Sequence, residues 1–71
     1  MTSTVRSEMV GNVTQVVVSS GDQVQTGDPL LFIESMRMEI PVEAEAAGTV
    51  AEVLVEPGAS VRSGDPLIEI S

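Results

Sequence analysis

Apolar and polar positions in this chain follow the same course twice. Shifted by 37 positions, Val5 falls on Val42, Glu8 on Glu45 and Gly11 on Gly48. Val13, Val16 and Val18 fall on Val50, Val53 and Val55, Gly21 on Gly58 and Val24 on Val61. The run Gly27-Asp28-Pro29-Leu30 falls on Gly64-Asp65-Pro66-Leu67, and Ile33 on Ile70. Thirteen identities over the 29 positions from Val5 to Ile33 are far beyond coincidence, so the halves 5–33 and 42–70 read as two copies of one unit related by a pseudo-twofold axis.

Within each copy the pattern predicts short strands and turns. Gly11 to Val18 is rich in β-branched residues, which fit a pleated surface. Its apolar spacing, Val13, Val16, Val18, is neither helical nor strictly alternating, and it recurs as Val50, Val53, Val55; a β-bulge or a bend between sheets accounts for it. Ser20-Gly21-Asp22 and Pro57-Gly58-Ala59 are turns whose glycines take φ > 0. Very short strands follow at Val24 and Val61. Thr26-Gly27-Asp28-Pro29 and Ser63-Gly64-Asp65-Pro66 are turns that end in a proline able to open a strand. Leu30 to Ile33 and Leu67 to Ile70 run as core strands, the first apolar on both faces and therefore expected in the middle of the fold. The one helical candidate, Glu43 to Ala47, is short and stops at Gly48, so it reads as strand end plus loop.

Each copy thus contributes about four strands, and neither can bury its apolar face alone. The expected fold is all-β: a flattened barrel-sandwich of two four-stranded antiparallel sheets, with a core of Val, Leu and Ile and one aromatic, Phe32. At 71 residues there is one domain, 1–71. Between the copies lies the segment 34–41, Glu34-Ser35-Met36-Arg37-Met38-Glu39-Ile40-Pro41. If strands flank it, Met36 and Arg37 form the tip of a tight hairpin, placed by the symmetry opposite the two chain ends. A cation at such a tip is ordinarily just solvated and methionines fill core gaps, but exposed methionine is also common at recognition surfaces.

Composition narrows the chemistry. The net charge of −8 repels phosphate backbones and anionic lipid, arguing against nucleic-acid and membrane partners and for a monomer kept in solution by its charge. No apolar run is long enough to span a bilayer, and the N-terminus lacks the features of a signal peptide. The absence of cysteine is neutral about compartment but fits a reducing cytoplasm. With no His, Cys, Lys, Tyr or Trp, the chain lacks the usual bases, nucleophiles and amines of catalysis, so an enzyme is not expected. Glu43, Glu45, Glu52 and Glu56 are a conceivable metal or acid–base set. Without histidine or calcium-loop spacing they read as solvated carboxylates, and no metal is expected.

The segment Glu34 to Pro41 resembles the biotin-attachment signature, in which a lysine sits between two methionines in a hairpin joining quasi-symmetric halves. Gly21-Asp22-Gln23-Val24, Gly27-Asp28 and Ala47-Gly48-Thr49-Val50 resemble further parts of the biotinyl/lipoyl carrier family, and the likeness covers nearly the whole chain. The methionine pair points to the biotinyl branch, since lipoyl domains place aspartate before the lysine and alanine after it. With the resemblance, the length leads one to expect a complete carrier of the small stand-alone bacterial kind, with neither an appended catalytic domain nor a protruding thumb. The resemblance implies a biotin carboxyl carrier of the acyl-CoA carboxylase kind. Its partners would be biotin–protein ligase, a biotin carboxylase and a carboxyltransferase, between which tethered biotin carries carbon dioxide. Position 37 would be the attachment site, presented by Met36 and Met38 and flanked by Glu34 and Glu39.

The departure is Arg37 itself. Attachment needs an ε-amine to attack biotinyl-adenylate, and a charged, delocalised guanidinium is a very poor acyl acceptor. There is no lysine anywhere in the chain, so no covalent biotin is expected on it. Either Arg37 replaces the lysine of an ordinary carrier, or the chain is a paralogue that has lost modification and persists as an interaction or regulatory module docking on the ligase or a carboxylase.

Overall fold

A computed structural model describes residues 2–71, and among them every regular element is a β-strand: β1 Ser3–Arg6, β2 Gly11–Val16, β3 Gln23–Val24, β4 Pro29–Ser35, β5 Met38–Glu43, β6 Gly48–Val53, β7 Ser60–Val61 and β8 Pro66–Ile70. No helix among the described residues is long and apolar enough to cross a membrane. The strands form two four-stranded antiparallel sheets, β1-β8-β6-β3 and β5-β4-β2-β7. The two copies are interlocked. The β2–β4 pair of the first is edged by β5 and β7 of the second, and the β6–β8 pair of the second by β1 and β3 of the first. Neither copy therefore possesses a complete sheet of its own.

The irregular valine spacing has the expected cause. The register of β2 on β4 shifts between Val13 and Gln15, and that of β6 on β8 between Val50 and Glu52, so Thr14 and Ala51 are the extra residues of matching bulges. The bulge restores inward facing at Val16 and Val53, which pack against the core. Both prolines that follow the Gly-Asp turns open their strands, and Pro41 lies on β5, an edge strand, where a missing N–H costs no ladder bond. Gly21, Gly27, Gly58 and Gly64 all have positive φ. The aspartates beside three of them close the turns: Asp22 accepts from the Ser19 N–H at 2.8 Å, Asp28 from Gln25 at 2.8 Å and Asp65 from Arg62 at 2.9 Å.

Between the sheets lie Leu30, Leu31, Ile33, Leu67 and Ile68, all fully buried, with Val13, Val24, Val50, Val61, Ala44 and Ile70 around them. Each large aliphatic side chain buried this way contributes about 1.5–3 kcal/mol. Phe32 departs from expectation. It is half-buried and lies outside this core, which is wholly aliphatic. A register shift between Pro29 and Leu31 turns the consecutive Leu30 and Leu31 both inward, and strict alternation then sends Phe32 to the outer face of the sheet and Ile33 back in. The apolar run thus has one buried face and a bulge, not two buried faces. Residues 44–47 continue without helix from β5 into loop, as expected.

Candidate functional site

The hairpin between the copies is built on β4 and β5. Leu31 pairs with Val42, Phe32 with Pro41, Ile33 with Ile40, Glu34 with Glu39 and Ser35 with Met38, leaving Met36 and Arg37 as a two-residue turn. Their φ values, 52° and 70°, are both left-handed, the conformation of a type I′ turn that matches strand twist and ordinarily selects Asn-Gly. Two side chains there cost about 1–2 kcal/mol each. The fully buried Leu31 and Ile33 hold the strands that impose it. At the neck, Ser35 Oγ donates to the Val10 carbonyl at 2.9 Å, tying the hairpin to the loop before β2.

The tip is a projection rather than a pocket. Met36 is 92% exposed and Met38 64%, and Arg37, Glu34 and Glu39 are exposed as well. Two clefts among the described residues, of about 280 and 270 Å³, lie along β1, one against β5 at Val42 and the other against the loop at Glu45 and the end of β8 at Ile70, and none of residues 34–39 lines them. Glu34 and Glu39 stand directly opposite each other, an arrangement of like charges that a sheet disfavours. Thr14 eases it, its Oγ1 donating to Glu39 Oε2 at 2.7 Å, with the Phe32 carbonyl a more distant acceptor at 3.3 Å. The bulge that makes Thr14 the extra residue of β2 gives its side chain this position.

All the tip residues picked out in the sequence, Glu34, Met36, Arg37, Met38 and Glu39, are therefore gathered at one end of one hairpin. Sequence reasoning missed Val10, Ser35 and Thr14. Val10, 68% exposed, meets the hairpin through its backbone carbonyl, which accepts from Ser35 Oγ. The bulge spacing was the signal that could have found Thr14; nothing local marked Val10. Glu43, Glu45, Glu52 and Glu56 do not converge: among the described residues no group of three or more potential ligands could hold a metal ion.

The residues present do not fit covalently attached biotin. The amide that holds it needs a nucleophilic amine, and the side chain projected at the tip ends in a guanidinium, whose nitrogen lone pairs are delocalised.

Comparison with known proteins places this geometry. The family model described as "Biotin-requiring enzyme", that of the biotin/lipoyl domains, matches residues 3–70. The "Biotinylated protein TB7.3 homolog" of Mycobacterium leprae is 57% identical over 44 residues, which is 62% of this chain and 62% of that protein. The biotin carboxyl carrier protein of acetyl-CoA carboxylase from Solanum lycopersicum is 46% identical over 41 residues, 58% of this chain and 59% of that one. The alignments thus span about three-fifths of these relatives' own length. A single-chain, multi-domain long-chain acyl-CoA carboxylase contains a region that superposes with a TM-score of 0.92 at 31% identity, covering 99% of this chain and 7% of that one. With the match running from the first strand to the last and the same fold embedded in a carboxylase, the chain belongs to the biotin/lipoyl family as a carrier-type domain.

Proposed function

We propose that residues 1–71 form a single biotin carboxyl carrier domain of the acyl-CoA carboxylase kind, whose hairpin tip is the surface read by biotin–protein ligase and by the carboxylase's two catalytic halves, and that the chain as written stays unmodified. One observation carries the reading: position 37 stands on an exposed type I′ turn between two exposed methionines, where the family holds its lysine. The domain's own contribution is presentation. A rigid double sheet holds one side chain clear of the scaffold, Met36 and Met38 offer apolar contact around it, and Glu34 and Glu39 frame it with negative charge. The acidity of the chain fits a monomer, and the lack of cysteine fits the cytoplasm.

The test is Arg37→Lys, incubated with ligase, ATP and biotin. The intact mass of the lysine form rises by one biotinyl group, and that of the unaltered chain does not. A lysine form that gains no mass overturns the carrier reading; an arginine form that gains it overturns the claim of non-modification.

The guanidinium supports a second reading, in which the chain docks on the ligase without being consumed. Arginine keeps the length and charge of lysine while removing the acceptor, so the tip could occupy the ligase as a competitor. Calorimetric titration of the unaltered chain into ligase reads this directly, and absence of binding heat with slowed biotinylation of no other carrier would rule it out.

A further inference from the structure

We propose that Met36 and Met38 are a paired site of reversible oxidation, at which a hydroperoxide converts the tip's thioethers to sulfoxides and closes the hairpin to its ligase. The chain has no cysteine, tryptophan, tyrosine or histidine, so thioether sulfur is its most oxidisable side-chain chemistry. The fold distributes that chemistry unequally. Met36 is 92% exposed and Met38 64%, whereas Met9 is half-buried and packed against the aliphatic core. Among the described residues, a hydroperoxide in solution therefore meets the tip sulfurs first.

The step balances without a further reactant. The sulfur lone pair attacks one peroxide oxygen and the O–O bond breaks. With hydrogen peroxide that oxygen stays on sulfur, while the other leaves with both protons as water. Sulfur is oxidised by two electrons and the peroxide reduced by two. A flexible apolar group becomes a polar one with a strong acceptor oxygen. Core packing is indifferent to this change, because neither side chain touches the core. A partner surface that buries these methionines is not, since it must now desolvate two polar sulfoxides in place of two thioethers. The carrier thus loses recognition while keeping its fold. This consequence rests on the carrier reading above; the site of oxidation does not.

The experiment uses the full chain and its Arg37→Lys form, treated with graded hydrogen peroxide. Cleavage after glutamate separates the sulfurs cleanly: Met1 on the fragment Met1–Glu8, Met9 on Met9–Glu34, and the tip pair on Ser35–Glu39. The fragment Ser35–Glu39 gains two oxygens before Met9–Glu34 gains one. Over the same peroxide range the lysine form loses its ability to take up biotin with its melting temperature unchanged, and the two methionine sulfoxide reductases, one for each epimer, restore it. A lysine form that also carries Met9→Leu loses uptake in the same way. Oxidation of Met9 as fast as the tip pair overturns the site, and undiminished uptake by the fully oxidised lysine form overturns its effect. A lysine form that never accepts biotin defeats the carrier reading, while the order of oxygen gain still decides the site.

Discussion

Gly11 and Gly48 are equivalent positions in the two copies, and replacing each with alanine tests whether the hairpin that carries the tip is the more tightly held. Neither glycine has positive φ, so alanine is conformationally allowed at both. A Cβ on Gly11 would lie 2.5 Å from the Glu34 carbonyl oxygen and 2.7 Å from Ile33 Cγ2. On Gly48 it would lie 2.6 Å from the Ser71 carbonyl oxygen and 2.7 Å from Ile70 Cγ2. The clashes are nearly the same, and what differs is which neighbour can yield. Glu34 is paired on both sides, with Asn12 and with Glu39, and Ile33 is fully buried. Ser71 lies beyond β8 and is held through its backbone by Thr49 alone, and Ile70 retains 6% exposure. Overpacking that cannot relax costs about 1–3 kcal/mol, offset by about 0.4–1 kcal/mol from the lower entropy of the unfolded alanine chain. At about 4–8 °C per kcal/mol for a domain of this size, Gly11→Ala lowers Tm by roughly 2–20 °C and Gly48→Ala by less than half as much. Far-ultraviolet circular dichroism during heating reads this, since the chain has neither tryptophan nor tyrosine to report by fluorescence. Equal losses at the two sites, or an unchanged Tm for Gly11→Ala, would refute the argument that the hairpin root is the rigid one.

Other expectations follow from the same structure. Ile33→Ala destabilises by about 2–5 kcal/mol in urea unfolding, whereas Phe32→Ala, despite removing more atoms, costs less because Phe32 stands on the outer face. Thr14→Val removes the hydrogen bond to Glu39 and costs about 0.5–1.5 kcal/mol; combining it with Glu39→Ala gives less than the sum of the two single effects, because both remove one contact. Fragments 1–37 and 38–71 show no strand signal in circular dichroism when separate and regain it when mixed, since each sheet draws strands from both copies. A folded isolated fragment would contradict the interlocked topology.

Much of this architecture can be read along the chain. The duplication, the Gly-Asp-Pro turns, the bulge hidden in Val13, Val16, Val18 and the exposed two-residue tip at Met36 and Arg37 all depend on local sequence, where period, turn chemistry and repetition speak directly. The chemistry of position 37 is equally a matter of residue identity, because no fold turns a guanidinium into an amine. Tertiary structure alone decided which strands share a sheet, since pairing between residues dozens of positions apart leaves no local trace and the two copies could equally have kept their strands to themselves. It decided the face of Phe32, because alternation sets only relative direction and a bulge at Leu30 and Leu31 resets it. It also brought Thr14 to Glu39 and Val10 to Ser35, contacts between segments whose sequences carry no sign of one another.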